Sequence, residues 1–211
     1  MKPEDERCHK CLKPQGLCIC DAVKPLKCKT QILILQHPQE PDFKLGSAKI
    51  VTLALPASTL AVGLSWPNLK KALGREANPK EWAVLYLGNA KKIVPNGRVV
   101  HAIAKDGKAL EETEKILKAI RGIIAIDGTW SQAKTIWWRN AWLNKLQRIA
   151  LTPKIPSIYG KLRREPKRES LSTLEAIGNC LSELENNPEI LKNLLVPFRT
   201  LLQRARDLKL S

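Results

Sequence analysis

The segment Asp127-Gly128-Thr129-Trp130 sets a carboxylate directly after the apolar run Ile123-Ile124-Ala125-Ile126 and before a helical pattern that opens near Ser131. An acid at that junction lies beyond the C-terminal end of a strand, where open α/β sheets bind their ligands. A carboxylate placed there can take a proton from a bound substrate. Gly128 permits a tight turn, and Thr129 or Ser131 can cap the free N–H groups of the following helix. The bland reading makes the whole segment a structural turn, with Trp130 as core filling.

A second cluster has metal-binding chemistry. Cys8, Cys11, Cys18 and Cys20 form a C-x2-C-x6-C-x-C pattern. Four soft thiolates so close together suit a tetrahedral metal site, and zinc is the expected occupant. Four protein ligands would close the site and make it structural rather than catalytic. A pair of disulfides is the competing reading, and an iron–sulfur cluster a third. Cys28 and Cys180 fall outside the spacing and read as small core residues.

Charge narrows the class of partner. The 211-residue chain carries 36 Lys and Arg against 20 Asp and Glu, a formal net charge of +16. Such a balance favours polyanions through phosphate neutralisation, so nucleic acid is the expected partner. Ten of the basic residues lie between Lys134 and Arg168, where Glu165 is the one acid. There is no apolar run long enough to span a bilayer, and Met1–Arg7 lacks the apolar core of a signal peptide. A cytoplasmic protein is expected, with no membrane association and no obligatory protein partner.

The elements that must position these groups alternate in type. Apolar runs at 31–35, 82–87, 123–126 and 148–151 read as buried strands, and helical patterns cover 109–121, 131–146, 170–185 and 188–209. Strands apolar on both faces, alternating with helices, predict an α/β fold with a mainly parallel sheet. The loops after Leu35, Leu87, Ile126 and Leu151 would then gather at one crevice. Residues 1–29 hold five of the six cysteines and almost no apolar periodicity. They are expected to form a small zinc-binding segment with four cysteine ligands, and residues 30–211 the main domain. Trp137, Trp138 and Trp142 are expected in the core, with Trp138 and Trp142 sharing a helix face at i, i+4 spacing.

Asp127-Gly128-Thr129-Trp130 followed by Ser131-Gln132-Ala133-Lys134 resembles the signature of the DTW-domain family. The four cysteines, Leu35-Gln36-His37-Pro38-Gln39-Glu40, Tyr159–Pro166 and Leu171-Ser172-Thr173-Leu174-Glu175-Ala176 resemble further family segments in the right order. One stretch departs from the pattern. After Glu40 the family usually carries an Asn-Thr pair before Arg-Leu, and here Lys44–Ile50 reads KLGSAKI.

The resemblance implies a tRNA-uridine aminocarboxypropyltransferase related to the SPOUT class, with a trefoil-knotted α/β fold and S-adenosylmethionine as donor. The implied reaction moves the 3-amino-3-carboxypropyl group to N3 of a uridine and releases 5′-methylthioadenosine. A SPOUT-type RNA methyltransferase and a non-catalytic zinc-ribbon RNA-binding protein are the alternatives. Asp127 is the candidate general base, with Glu165 and Glu175 as alternates. Donor contacts are expected from Tyr86, Gly88, Gly128, Thr129, Trp130, Tyr159, Leu162, Arg163, Ser172 and Thr173. Arg163 could instead hold an RNA phosphate, and Ser172 and Thr173 could simply cap a helix. Lys134, Arg139, Lys161, Arg164, Lys167 and Arg168 are expected to contact RNA.

Overall fold

The computed structural model describes residues 6–42, 44–85, 93, 97–153, 155–162 and 171–209. In chain order its elements are β1 (Gln31–Gln36), α1 (Ala48–Ala54), β2 (Ser58–Val62), α2 (Leu69–Leu73), β3 (Trp82–Leu85) and β4 (Val100–Ile103). Then follow α3 (Thr113–Ala119), β5 (Gly122–Asp127), α4 (Trp130–Arg139), β6 (Gln147–Leu151), α5 (Thr173–Leu184) and α6 (Glu189–Asp207).

The six strands form one sheet in the order β2-β1-β5-β3-β6-β4. All neighbours are parallel except β4, which runs antiparallel to β6 at one edge. Successive strand residues point to opposite faces, and both faces are apolar here. Ile32, Ile34, Ala83, Ile123, Ala125 and Ile149 pack with α1, α5, α6 and the cysteine segment, which contributes Cys11, Leu17 and Ile19. Leu33, Leu35, Val84, Ile124 and Ile126 face the other way, against α2, α4 and the 3-10 turn Ala141–Lys145. The α/β class and the mainly parallel sheet are therefore as expected, with the cysteine segment docked on one face.

The structure adds two strands that apolar patterning did not predict. β2 is a half-buried edge strand, and β4 is a four-residue run interrupted by His101. His101 is buried, and its Nε2 lies 2.9 Å from Thr152 Oγ1. The expected helix over 131–146 stops at Arg139. Asn140 ends it: its Nδ2 donates to the Ile136 and Leu64 carbonyls, and its Oδ1 accepts from Trp66 N–H. That break puts Trp138 and Trp142 on different elements. Trp142 packs against the second apolar layer, but Trp138 is 78% exposed, which corrects its expected place in the core.

Gly122 shows how tightly the sheet is covered. A Cβ at this position would run into the buried Trp82 ring. Gly122→Ala is therefore expected to lower unfolding free energy by about 1–3 kcal/mol through overpacking, read from a denaturant melt; an unchanged midpoint would mean that the ring moves freely.

Candidate active site and cysteine centre

Asp127 closes β5 opposite Gln36, the last residue of β1, because the two strands are parallel and in register there. Gln36 Nε2 donates to Asp127 Oδ2 at 2.8 Å, and Thr173 Oγ1 donates to Asp127 Oδ1 at 2.5 Å. Asp127 is only 4% exposed, so these bonds hold a buried carboxylate by both oxygens. Neither bond exhausts an oxygen, since an ionised carboxylate has about four acceptor sites. His37 N–H donates to the Asp127 carbonyl and carries the strand pairing one residue further.

The turn after Asp127 is built by sterics and capping. A Cβ on Gly128 would sit 3.0 Å from Gln132 Cβ and 3.4 Å from His37 Cβ, so glycine lets the two loops approach. Thr129 caps α4: its Oγ1 accepts from Gln132 N–H, while Gln132 Oε1 accepts from Thr129 N–H. This reciprocal arrangement is a capping box. Gln132 also donates through Nε2 to Gln39 Oε1, tying the turn to the His37–Glu40 loop. Trp130 is half-buried in the first turn of α4.

A second capping box opens α5 beside the first. Ser172 Oγ accepts from Glu175 N–H, and Glu175 Oε2 accepts from Ser172 N–H. Glu175 also accepts from Ser157 Oγ at 2.7 Å and Ile158 N–H at 2.8 Å. Its two oxygens thus fasten the 157–158 turn to α5. Thr173 is the first residue of that helix, and its hydroxyl is the one aimed at Asp127.

The stretch from Leu45 to Ser47 lies against this helix end. Leu174 N–H donates to Ser47 Oγ, and the buried Tyr159 hydroxyl donates to the Leu45 carbonyl at 2.9 Å. From the cysteine segment, Lys13 Nζ donates to the Gly46 carbonyl at 2.7 Å. Lys13 is 6% exposed. Burial pulls its pKa down to about 8, against the raising influence of Cys11, Asp127 and Glu40.

The four cysteines converge. Their sulfurs all lie within 4.8 Å of one another, with Cys8–Cys20 and Cys11–Cys18 at 3.7 Å. These separations are too long for disulfides. They fit the edge of a tetrahedron with roughly 2.3 Å metal–sulfur bonds, which is about 3.8 Å. The cluster can therefore hold a metal ion. Backbone N–H groups of Cys11 and Lys10 favour the Cys8 thiolate and lower its pKa to about 6, whereas burial pushes Cys20 up to about 12. Cys180 lies fully in the core, and burial raises its pKa.

Of the sequence-derived candidates, the structure gathers Asp127, Gly128, Thr129, Trp130, Ser172 and Thr173 around the two helix starts. Tyr159 and Leu162 stand on the 157–162 segment that Glu175 fastens. Lys134 and Arg139 are exposed on α4. Tyr86, Gly88, Arg163, Arg164, Glu165, Lys167 and Arg168 lie outside the described residues, as does the Lys161 side chain. Gln36, Ser47 and Lys13 were not anticipated. A polar residue closing the run Ile32–Leu35 is a signal that could have found Gln36. Ser47 and Lys13 reach the site by tertiary contact alone.

The chain matches the DTW domain family over residues 5–206 and belongs to that family. A Drosophila melanogaster protein named tRNA-uridine aminocarboxypropyltransferase 2 is 31% identical over 207 residues, covering 95% of this chain and 75% of its own length. The Macaca fascicularis protein of the same name is 29% identical over 212 residues, 97% of this chain. An Arabidopsis thaliana protein, tRNA-uridine aminocarboxypropyltransferase A, is 23% identical over 207 residues, 90% of this chain and 76% of its own. The chain spans just under two thirds, 66%, of the length of the macaque and mouse relatives. No solved structure matches it. Among the described residues no helix is long and apolar enough to cross a membrane.

The thiolate geometry leads to a direct test. Purified protein is expected to carry one metal ion per chain by elemental analysis. Cys11→Ser should lose it and melt at a lower temperature, because Cys11 is both a candidate ligand and a core residue. An unchanged metal content would rule out the four-sulfur site.

Proposed function

We propose that this chain transfers the 3-amino-3-carboxypropyl group of S-adenosylmethionine to N3 of a uridine in tRNA, with 5′-methylthioadenosine as the other product. The observation that carries the reading is Asp127, a buried carboxylate held by Gln36 and Thr173 at the strand-end turn that names the family. The relatives' names support the substrate class. The donor when bound supplies an activated carbon next to its sulfonium, and the residues of this chain provide position and proton transfer.

Asp127 accepts the N3 proton as the uridine nitrogen attacks that carbon and the carbon–sulfur bond breaks. General-base help of this kind is worth roughly 10²–10⁴-fold. Thr173 and Gln36 act through Asp127 and fix its direction. Glu175 is the weaker choice of base, because its oxygens already secure Ser157, Ile158 and Ser172. Glu165 stays an alternate base. Gly128, Thr129, Trp130, Tyr159, Leu162, Ser172 and Thr173 frame the donor crevice, together with Tyr86 and Gly88. Arg163 binds the donor carboxylate through a fork–fork pair or an RNA phosphate, and Lys161, Arg164, Lys167 and Arg168 take phosphates. The cysteine centre is read as structural zinc. A knotted SPOUT-type chain path and a cytoplasmic location belong to the same reading.

On the RNA side, Ser131, Lys134 and Trp138 share an exposed face of α4 at helical spacing, with Arg139 beside them. A base can stack on Trp138 while the cations neutralise phosphate. Trp138→Ala is expected to weaken tRNA binding by roughly fivefold to a hundredfold, equivalent to about 1–3 kcal/mol. Donor binding should stay intact. Equal tRNA affinity in a filter-binding assay would remove Trp138 from the interface.

Incubation with tRNA and S-adenosylmethionine, followed by nucleoside mass spectrometry, tests the activity. An aminocarboxypropyl mass on uridine with methylthioadenosine release is expected. A methyl mass with adenosylhomocysteine would overturn the assignment in favour of a methyltransferase, and no product would favour an RNA-binding role. Asp127→Asn should bind donor and tRNA but lose at least about a hundredfold in kcat; full turnover would refute the base assignment.

A further inference from the structure

Lys13 lies between the second and third cysteines of the metal-binding pattern, in a loop closed by Cys8 N–H donating to the Lys13 carbonyl at 2.8 Å. The loop fixes the backbone, and the side chain leaves it for the interior, where the residue is 6% exposed. Nζ donates to the Gly46 carbonyl. An ammonium has three protons to donate, and this bond uses one. A buried cation is costly unless anions face it.

Its place connects it to the candidate base. Gly46 precedes Ser47, whose hydroxyl accepts from Leu174 N–H, and the residue before Leu174 is Thr173, which donates to Asp127. Asp127 already takes hydrogen bonds on both oxygens from Gln36 and Thr173, so neither of those is supplied by Lys13.

We infer that Lys13, presented by the cysteine loop, binds the carboxylate of the aminocarboxypropyl group in the donor crevice. The inference rests on the transferase reading above and deepens it. The carboxylate is only a few bonds from the carbon that uridine attacks, so its counter-charge must lie close to the base. A phosphodiester backbone would need an open groove, and Lys13 is enclosed. Anchoring the carboxylate also turns the aminocarboxypropyl carbon, rather than the methyl, toward the nucleophile. Lys13 is thus a determinant of which group moves.

The test compares two ligands by calorimetry on the metal-loaded, full-length protein. S-adenosylmethionine carries the carboxylate and 5′-methylthioadenosine lacks it. Lys13→Met should weaken S-adenosylmethionine by roughly tenfold to a hundredfold, the worth of a charged hydrogen bond. Affinity for methylthioadenosine should not change, which also reports that the variant is folded. Lys13→Arg should recover part of the loss. Equal weakening of both ligands would overturn the inference and make Lys13 a brace for residues 45–47. Unchanged affinity for both would overturn it as well, as would a defect confined to tRNA binding, which would indicate a phosphate contact. Wild-type protein that binds methylthioadenosine but shows no preference tied to the carboxylate contradicts Lys13 alone. Wild-type protein that binds neither ligand contradicts the transferase reading itself.

Discussion

Asp127 can sit 4% exposed at a strand end because two side chains from different parts of the chain donate to it. One comes from the neighbouring strand and the other from the first turn of α5. Parallel register supplies the first donor without any loop, since Gln36 and Asp127 are directly paired. The second requires α5 to start in one place, and the Ser172–Glu175 capping box sets that start. A buried carboxylate that lost either donor would carry a desolvation cost of about 1–3 kcal/mol or more. The positions of β1, β5 and α5 are therefore tied to the same few atoms.

Much of this was legible in the residues. Apolar runs marked β1, β3, β5 and β6, and a strand running into Asp-Gly put the carboxylate at a strand end. Thr129 or Ser131, and Ser172 or Thr173, stood out as candidate helix caps, and Thr129 and Ser172 are the two that cap. The cysteine spacing announced a four-thiol cluster, and the sulfurs do converge.

The remainder depended on contacts between distant segments. β4 escaped because four residues with a histidine among them carry too little periodicity, and β2 because an edge strand is only half-buried. Trp138 was expected inside since its i, i+4 partner is apolar. The helix ends first, because Asn140 commits its amide to the loop at 64–66 and to the last turn of α4. Lys13 offered no local cue at all: a lysine between two cysteines looks like solvated loop until the segment docks against the sheet.

The stretch from Leu45 to Ser47 is held from three directions. Two of those three contacts end on main-chain oxygens, at Leu45 and Gly46, and only Ser47 is engaged through its side chain. A main-chain oxygen is present whatever the side chain is. The segment is thus free to drift in composition while its spacing is constrained, and inserting or deleting one residue here should do more harm than exchanging most of them.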